Sequence, residues 1–339
     1  MMNEKEMITL CEANKKFFKV GACLSSESIR RHDEIIKRHF NCAVAENAMK
    51  WEPIQPKEGI FTFGEADEIV QYTKDNEMTL RAHAPIWHIM VPDELFMDKG
   101  KSASRELLIE RLDNHMKVFC EHFKGQFYCW DVVNEAINDF PGEDLRQSRW
   151  LELIGPDYLD IAFRIARKYA PEVQLFYNDY NEFIPYKRER ILRLVKGMID
   201  RGVPIDGIGL QGHINIVECN LDEYERTVEA FAELGLRIHI TELDVNPFSL
   251  RDREYSPTSI ITEEMSEKQG KLYRGIFDIA RRYSDVVDAV VTWGVADDMN
   301  WLDDLWCPGR IHEPLLFDKY HKMKKWTEQI IEDALKYNR

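Results

Sequence analysis

Eight short apolar runs recur along the chain, and longer segments with helical patterning separate them. The runs are FKVGACL (18–24), CAVAEN (42–47), TLRAHAPIW (79–87), FYCWDVVNE (127–135), VQLFYND (173–179), GIGLQGH (207–213), RIHITELDV (237–245) and VDAVVTWGV (287–295). Their length suits strands better than helices. Between them, ASRELLIERLDNHMKVFCEHF (103–123) places Leu107, Ile109, Leu112, Met116, Val118 and Phe119 broadly on one stripe. KRERILRLVKGMIDRG (187–202) and LDEYERTVEAFAELG (221–235) each end at a glycine, a common helix stop. SEKQGKLYRGIFDIARRY (266–283) precedes the last run. Strand followed by helix, repeated eight times, predicts an α/β fold of the (β/α)8 TIM-barrel type. An open doubly wound sheet would be marked by a glycine-rich phosphate turn after its first strand. Here SSESIRRHDEII follows, with no GxGxxG and no GxxxxGK[ST]. No Pro/Gly/Ser-rich linker divides the chain, so one catalytic domain over 1–339, without an accessory binding module, is the simpler reading. The segment PFSLRDREYSPTSIITEEM (247–265) reads as an excursion over one barrel mouth.

Charge narrows the partners. The chain holds 45 Lys and Arg against 60 Asp and Glu, a net charge of −15. Such an acidic surface argues against nucleic acid but is neutral toward an uncharged substrate. No apolar run approaches the length of a membrane span, and the first twenty residues lack the apolar stretch of a signal peptide. Seven scattered cysteines without a CxxC motif point to a reducing, cytoplasmic setting. The charge leaves monomer and homodimer both open.

Polar residues gather at the C-terminal ends of these runs. The second ends in Glu46 and Asn47, the third carries His83 and ends in Trp87 and His88, and the fourth ends in Asn134 and Glu135. The fifth ends in Asn178 and Asp179. Gln211 and His213 share a face of the sixth, and Glu242 and Asp244 share one of the seventh. Trp293 lies in the eighth, with Asp297 and Trp301 just beyond. In a parallel barrel these ends converge on the face that carries the active site. Glu135 and Glu242 then stand across one mouth, an arrangement suited to glycoside hydrolysis, whether retaining or inverting. Trp87, Trp293 and Trp301 offer aromatic faces to a sugar ring. Asp131 is expected to pair inside the barrel with Arg81, and Trp51 and Trp130 to pack in the core. A metal centre on His83, His88 and His213 is the rival reading. Against it, no HExxH occurs, and His83 and His88 have opposite strand parity. No metal or cofactor is expected.

At this point the chain resembles glycoside hydrolase family 10, the endo-β-1,4-xylanases. ENAMKWEPIQPKEGIFTF (46–63), WDVVNEA (130–136), FYNDYN (176–181), GIGLQGH (207–213), ITELDV (240–245) and WGVADDMNW (293–301) match its motifs in order. The likeness runs from about residue 10 to PLLFD (314–318) and the final helix. It implies a retaining double displacement on xylan or xylo-oligosaccharides, with Glu135 as acid/base and Glu242 as nucleophile. It implies that His213 bonds Glu242 and that Asp244 supports His213. Asn134, His83 and Gln211 would line the subsite at the cleaved bond. Glu46, Asn47 and Lys50 would hold the next sugar, and Trp87, Trp293 and Trp301 would form aromatic walls. This chain departs from the family at AHAPIWHIMVP (82–92), where GHTLVWHSQLP is common, and at Leu302, where an arginine often follows the last tryptophan. The absent leader and binding module resemble the intracellular members, which act on short xylo-oligosaccharides. A β-1,4-glucanase, a non-catalytic sugar-binding protein and a metal-dependent isomerase on the same barrel are the competing functions.

Overall fold

The computed structural model describes residues 8–249, 251–252 and 260–337. Eight strands, β1 (Lys19–Leu24), β2 (Cys42–Ala45), β3 (Thr79–Ile86), β4 (Cys129–Asn134), β5 (Gln174–Asp179), β6 (Gly207–Leu210), β7 (Arg237–Asn246) and β8 (Val287–Thr292), run parallel in sequence order. The pairing of β8 with β1 closes the sheet into a barrel. A helix follows each strand: α1 (Ser26–His39), α2 (Gly64–Asp75), α3 (Arg105–His122), α4 (Tyr158–Tyr169), α5 (Pro185–Asp200), α6 (Leu221–Ala232), α7 (Glu263–Arg282) and α8 (Lys325–Tyr337). This is the (β/α)8 barrel expected from the alternating pattern. Among the described residues no helix is long and apolar enough to cross a membrane. Of the excursion at 247–265, residue 250 and residues 253–259 lie outside the described residues.

Local chemistry sets the helix ends. Ser25, Ser104 and Thr262 cap α1, α3 and α7 by accepting from the backbone N–H groups of Ser28, Leu107 and Met265. The Thr262 cap starts α7 at Glu263, three residues before the helix expected from Ser266. Gly202 and Gly235 follow α5 and α6 with φ of 64° and 73°, left-handed turns that end the helices.

Strand side chains alternate between the helices and the barrel interior. In β1, Val20, Ala22 and Leu24 pack in the large core beneath the helices, whereas Cys23 joins Cys42, Val44, Ala289, Val291 and Trp293 in a separate cluster. Trp130 points outward and stacks on Phe119 of α3, with ring centroids 5.1 Å apart. Trp51 stacks on His115 at 3.8 Å. Both tryptophans are buried, as expected.

The interior beside β3, β4, β5 and β7 is polar. Arg81 donates to Asp131 at 2.5 Å, and His83 Nδ1 lies 3.1 Å from the second Asp131 oxygen. Arg81 also reaches His239 of β7 across the interior. Burial resists a charge on Asp131, but Arg81 and His83 outweigh it and hold the carboxyl below its usual range. The carboxylate inside the apolar run of β4 is therefore the counter-ion of a buried guanidinium. Arg81→Met strands that carboxylate without its main partner. It is expected to cost about 3–5 kcal/mol, read as a lower denaturation midpoint, and an unchanged midpoint would refute the pairing.

Candidate active site

Three strand ladders change register near their C-terminal ends, that of β3 with β4 between His83 and Ile86, and polar residues follow each change. The β4–β5 ladder shifts between Asp131 and Val133, and the β7–β8 ladder between Ile240 and Leu243. Such irregularities re-aim side chains at barrel rims. Glu135 follows β4 directly at φ 58°, a left-handed conformation that is uncommon for glutamate. Its N–H donates to the Asn178 carbonyl at 2.9 Å, and its carbonyl accepts from Arg146 Nε at 3.0 Å. These bonds hold a strained backbone in place, a feature associated with functional positions.

The carboxyl of Glu135 is as tightly held as its backbone. Trp87 Nε1 donates to Oε2 at 2.8 Å. Gln211 Nε2 and Asn134 Nδ2 donate to Oε1 at 3.0 and 3.1 Å. Glu242 is 5 % exposed and has its own set of partners. Asn178 Nδ2 donates to its Oε1 at 2.7 Å, and His213 Nε2 donates to its Oε2 at 3.1 Å. Asn178 Nδ2 also donates to Asn134 Oδ1 at 2.8 Å, so two amides join the glutamates. On the far side, His213 Nδ1 donates to Asp244 Oδ2 at 2.8 Å, and Trp301 Nε1 donates to the same oxygen at 2.7 Å. The network runs unbroken from Trp87 to Trp301.

This arrangement fixes a proton. Both ring nitrogens of His213 face ionised carboxylates, which only accept, so both must carry hydrogen. Burial opposes the charge on His213, but Asp244 and Glu242 overcome it and raise the ring to about 10. Reciprocally, burial resists ionisation of Glu242, while His213, His83 and Lys50 outweigh it and hold the carboxyl below its usual range. Lys50 is buried, donates to Asn47 Oδ1 at 2.8 Å, and sits 4.6 Å over the Trp87 ring and 5.7 Å over Trp293. Burial lowers Lys50, against the pull of Glu242, Glu135 and Glu46, and raises Glu46 despite Lys50 nearby.

The structure brings all the sequence-predicted site residues to one end of the barrel. Glu46 and Asn47 lie just past β2 rather than within it. Glu46, Trp293, Trp301, Asp304 and Leu305 line a crevice of about 260 Å³. His83 is 2 % exposed and bonded to Asp131, which puts it beneath the site rather than on its surface. Gln211 and His213 do not belong to one continuous strand. β6 stops at Leu210, Gly212 turns at φ 74°, and pairing with β7 resumes at His213–Asn215. Leu302 is fully buried and opens a short helical turn, Leu302–Trp306, that leaves Leu305 exposed.

Three supporting residues were not among those singled out as site residues. Asn178 bridges the two glutamates, Arg146 holds the Glu135 carbonyl, and Glu182 accepts the Gly212 N–H at 3.1 Å. Asn178 fits because β6 presents glycine: a Cβ on Gly209 would collide with its side-chain oxygen. The glycines of GIGL were the available signal.

Residues 10–333 match the family model described as glycosyl hydrolase family 10. Endo-1,4-beta-xylanase A of Caldicellulosiruptor saccharolyticus is 43 % identical over 330 residues, covering 96 % of this chain and 95 % of that protein. Beta-1,4-xylanase of Dictyoglomus thermophilum is 40 % identical over 326 residues, covering 96 % and 91 %. The crystal structure of xylanase XynB from Paenibacillus barcinonensis, complexed with a conduramine derivative, superposes with a TM-score of 0.93 at 39 % identity, covering 97 % and 99 %.

The His213 pairing has a measurable consequence. Its raised value means that the ring contributes stability fully below the ordinary histidine range, a contribution lost as pH rises toward about 10. Histidine NMR is expected to show His213 doubly protonated through neutral pH, and Glu242→Gln to bring its titration down toward the ordinary range. A neutral His213 ring at pH 7 in the unaltered protein would contradict the assignment.

Proposed function

Because the chain belongs to glycosyl hydrolase family 10, we propose that it cuts β-1,4-linked xylose chains by retaining double displacement, with Glu135 as acid/base and Glu242 as nucleophile. The observation that carries this reading is the pair of glutamates at the barrel mouth, joined through Asn134 and Asn178. One carboxylate sits deep and anionic beside an imidazolium; the other lies nearer the surface, held by neutral donors. Retention needs two carboxyl groups with separate tasks.

In the first step Glu135 gives its proton to the departing sugar oxygen while a Glu242 oxygen attacks the anomeric carbon. The glycosidic C–O bond breaks as the ester bond forms. In the second step Glu135, now ionised, takes a proton from water, and the water oxygen displaces Glu242 from the same carbon. Asn134 and Gln211 lie within reach of a sugar bound between the glutamates. Lys50 and Asn47 present a cation and an amide to the next ring, with Trp87, Trp293 and Trp301 around it.

The choice of xylan fragments over β-1,4-glucan falls to the crevice beside Glu46, lined by Trp293, Trp301 and Leu305, where glucose needs room for a hydroxymethyl arm. The seven scattered cysteines, without a CxxC motif, support a reducing, cytoplasmic setting for work on short oligosaccharides.

Reduced xylotetraose and cellotetraose separate the alternatives. The unaltered enzyme is expected to release xylobiose from the first much faster than it cuts the second, with the β-anomer appearing first by NMR. Glu242→Ala should lose activity by roughly 10,000-fold or more. Glu135→Ala should lose it on xylotetraose but keep the first step on an aryl xylobioside, whose leaving group needs no proton. Full activity in Glu242→Ala removes the mechanism, and preference for cellotetraose removes the substrate.

Gly209→Ala tests the positioning directly. Displacing Asn178 by about 1 Å is expected to lower kcat roughly 100-fold with a smaller change in KM. An unaltered kcat would show that the bridge is dispensable.

A further inference from the structure

We propose that His32, Asp298 and His321 form a binding site for a divalent transition-metal ion of the zinc class, outside the glutamate pair and tying α1 to the loop between β8 and α8. The three residues come from separate segments. His32 lies within α1 where the helix departs from regular dihedrals, at φ −114° and ψ 17°. Asp298 follows β8, two residues before Asn300 and three before Trp301. His321 sits in a tight turn at φ 66°, a left-handed conformation that few histidines adopt. Asp318 holds that turn by accepting from the N–H groups of Tyr320 and Lys322.

Their donor atoms converge. His32 Nε2 is 2.9 Å from Asp298 Oδ1, and His321 Nε2 is 3.2 Å from Oδ2. Among the described residues this is the one group of three or more such side chains whose ligand atoms all lie within 4.8 Å of one another. Zinc bound at about 2.0–2.2 Å in a tetrahedron holds its ligand atoms about 3.4 Å apart, so the two histidine–carboxylate contacts would lengthen slightly and the widest separation, within 4.8 Å, would close around the ion. Two imidazoles and a carboxylate form a donor set that suits zinc, cobalt or nickel better than calcium or magnesium, which prefer oxygen alone. His32 is fully buried and fixed, whereas His321 is 37 % exposed, so it can open the site and leave a fourth position to water.

One cation already competes. Arg31 lies 3.0 Å from Asp298 Oδ2, but it is 46 % exposed and also reaches Glu27, so it can leave when a metal arrives. The location gives the site a consequence. His32 lines the same crevice as Glu46, Trp293 and Trp301. A bound ion would brace the loop that carries Trp301 without entering the chemistry at the glutamates.

The full-length protein, stripped with chelator, would be titrated with zinc chloride by calorimetry and with cobalt chloride by absorbance. One saturating site is expected, with a rise in Tm and the visible bands of tetrahedral cobalt. His321→Ala, on an exposed turn where folding is not at stake, should weaken binding about 10- to 100-fold and abolish the cobalt bands. Arg31→Ala should tighten binding by removing the competing charge. His122→Ala, which breaks an exposed histidine–aspartate pair between α3 and Asp67 of α2, should leave the zinc affinity and the cobalt bands unchanged. No saturable binding, or equal affinity in His321→Ala, overturns the proposal.

Discussion

The site depends on one hydrogen-bonded chain that crosses the barrel mouth from Trp87 to Trp301. Each member is held by the next: Trp87 by Glu135, Glu135 by Asn134 and Gln211, Asn134 by Asn178, Asn178 by Glu242, Glu242 by His213, and His213 by Asp244. From Trp87 to Trp301, these residues come from six consecutive strands, β3 to β8, and the loops after them. A closed parallel barrel gathers these strand ends around one mouth. Asn178 is the centre of the chain. Both its N–H groups are spent, one on each side, and its oxygen accepts from Thr241 at 2.7 Å. A buried amide bonded through both N–H groups and its oxygen is held in place, and its rigidity sets the relation between the two glutamates.

The barrel interior is divided to support this mouth. Beside β1, β2 and β8 it is filled by small apolar residues such as Cys23, Val44 and Ala289. Beside β3, β4, β5 and β7 it holds Arg81, Asp131, His83 and His239 in contact. A buried ion pair is a weak source of stability when set against an apolar replacement. Its presence is better explained from above. Asp131 fixes His83 by its Nδ1, and His83 stands under Trp293, with ring centroids 5.6 Å apart. The polar floor therefore orients an aromatic wall.

Much of this was legible in the sequence. Eight apolar runs with polar C-terminal ends carry the barrel, because strand period and helix period differ enough to be read locally. Asp131 and Arg81 were paired from residue type alone, and they are paired in the fold. Other features were hidden because they depend on departures from regular structure. The run 207–213 reads as one strand, but Gly212 breaks it, and His213 reaches Glu242 and Asp244 from a second short pairing. The left-handed Glu135 has no sequence signature of its own, since its conformation is imposed by Asn178 and Arg146 from elsewhere in the chain. Asn178 reads from the sequence only as a polar strand end. Its bridging role needed the register of β4, β5 and β6, which brings Asn134 beside Asn178 and Asn178 beside Gly209.

The charge count at His213 explains why Asp244 belongs to the site although it touches neither glutamate. Before reaction, Asp244, His213 and Glu242 carry −, + and −, so the group holds one net negative charge. In the proposed glycosyl intermediate Glu242 is an ester and its charge is gone. With Glu242 as its only partner, His213 would then be an isolated buried cation, and the first step would be opposed by the cost of leaving it unpaired. Asp244 is 2 % exposed and bonded to the opposite ring nitrogen, so the cation keeps a counter-ion throughout. Trp301 donates to the same Asp244 oxygen that His213 uses. Trp301 of the crevice and the charge on the His213–Glu242 pair thus share a single carboxylate. A change at Trp301 reaches Glu242 through three hydrogen bonds, by way of Asp244 and His213, rather than through the substrate alone.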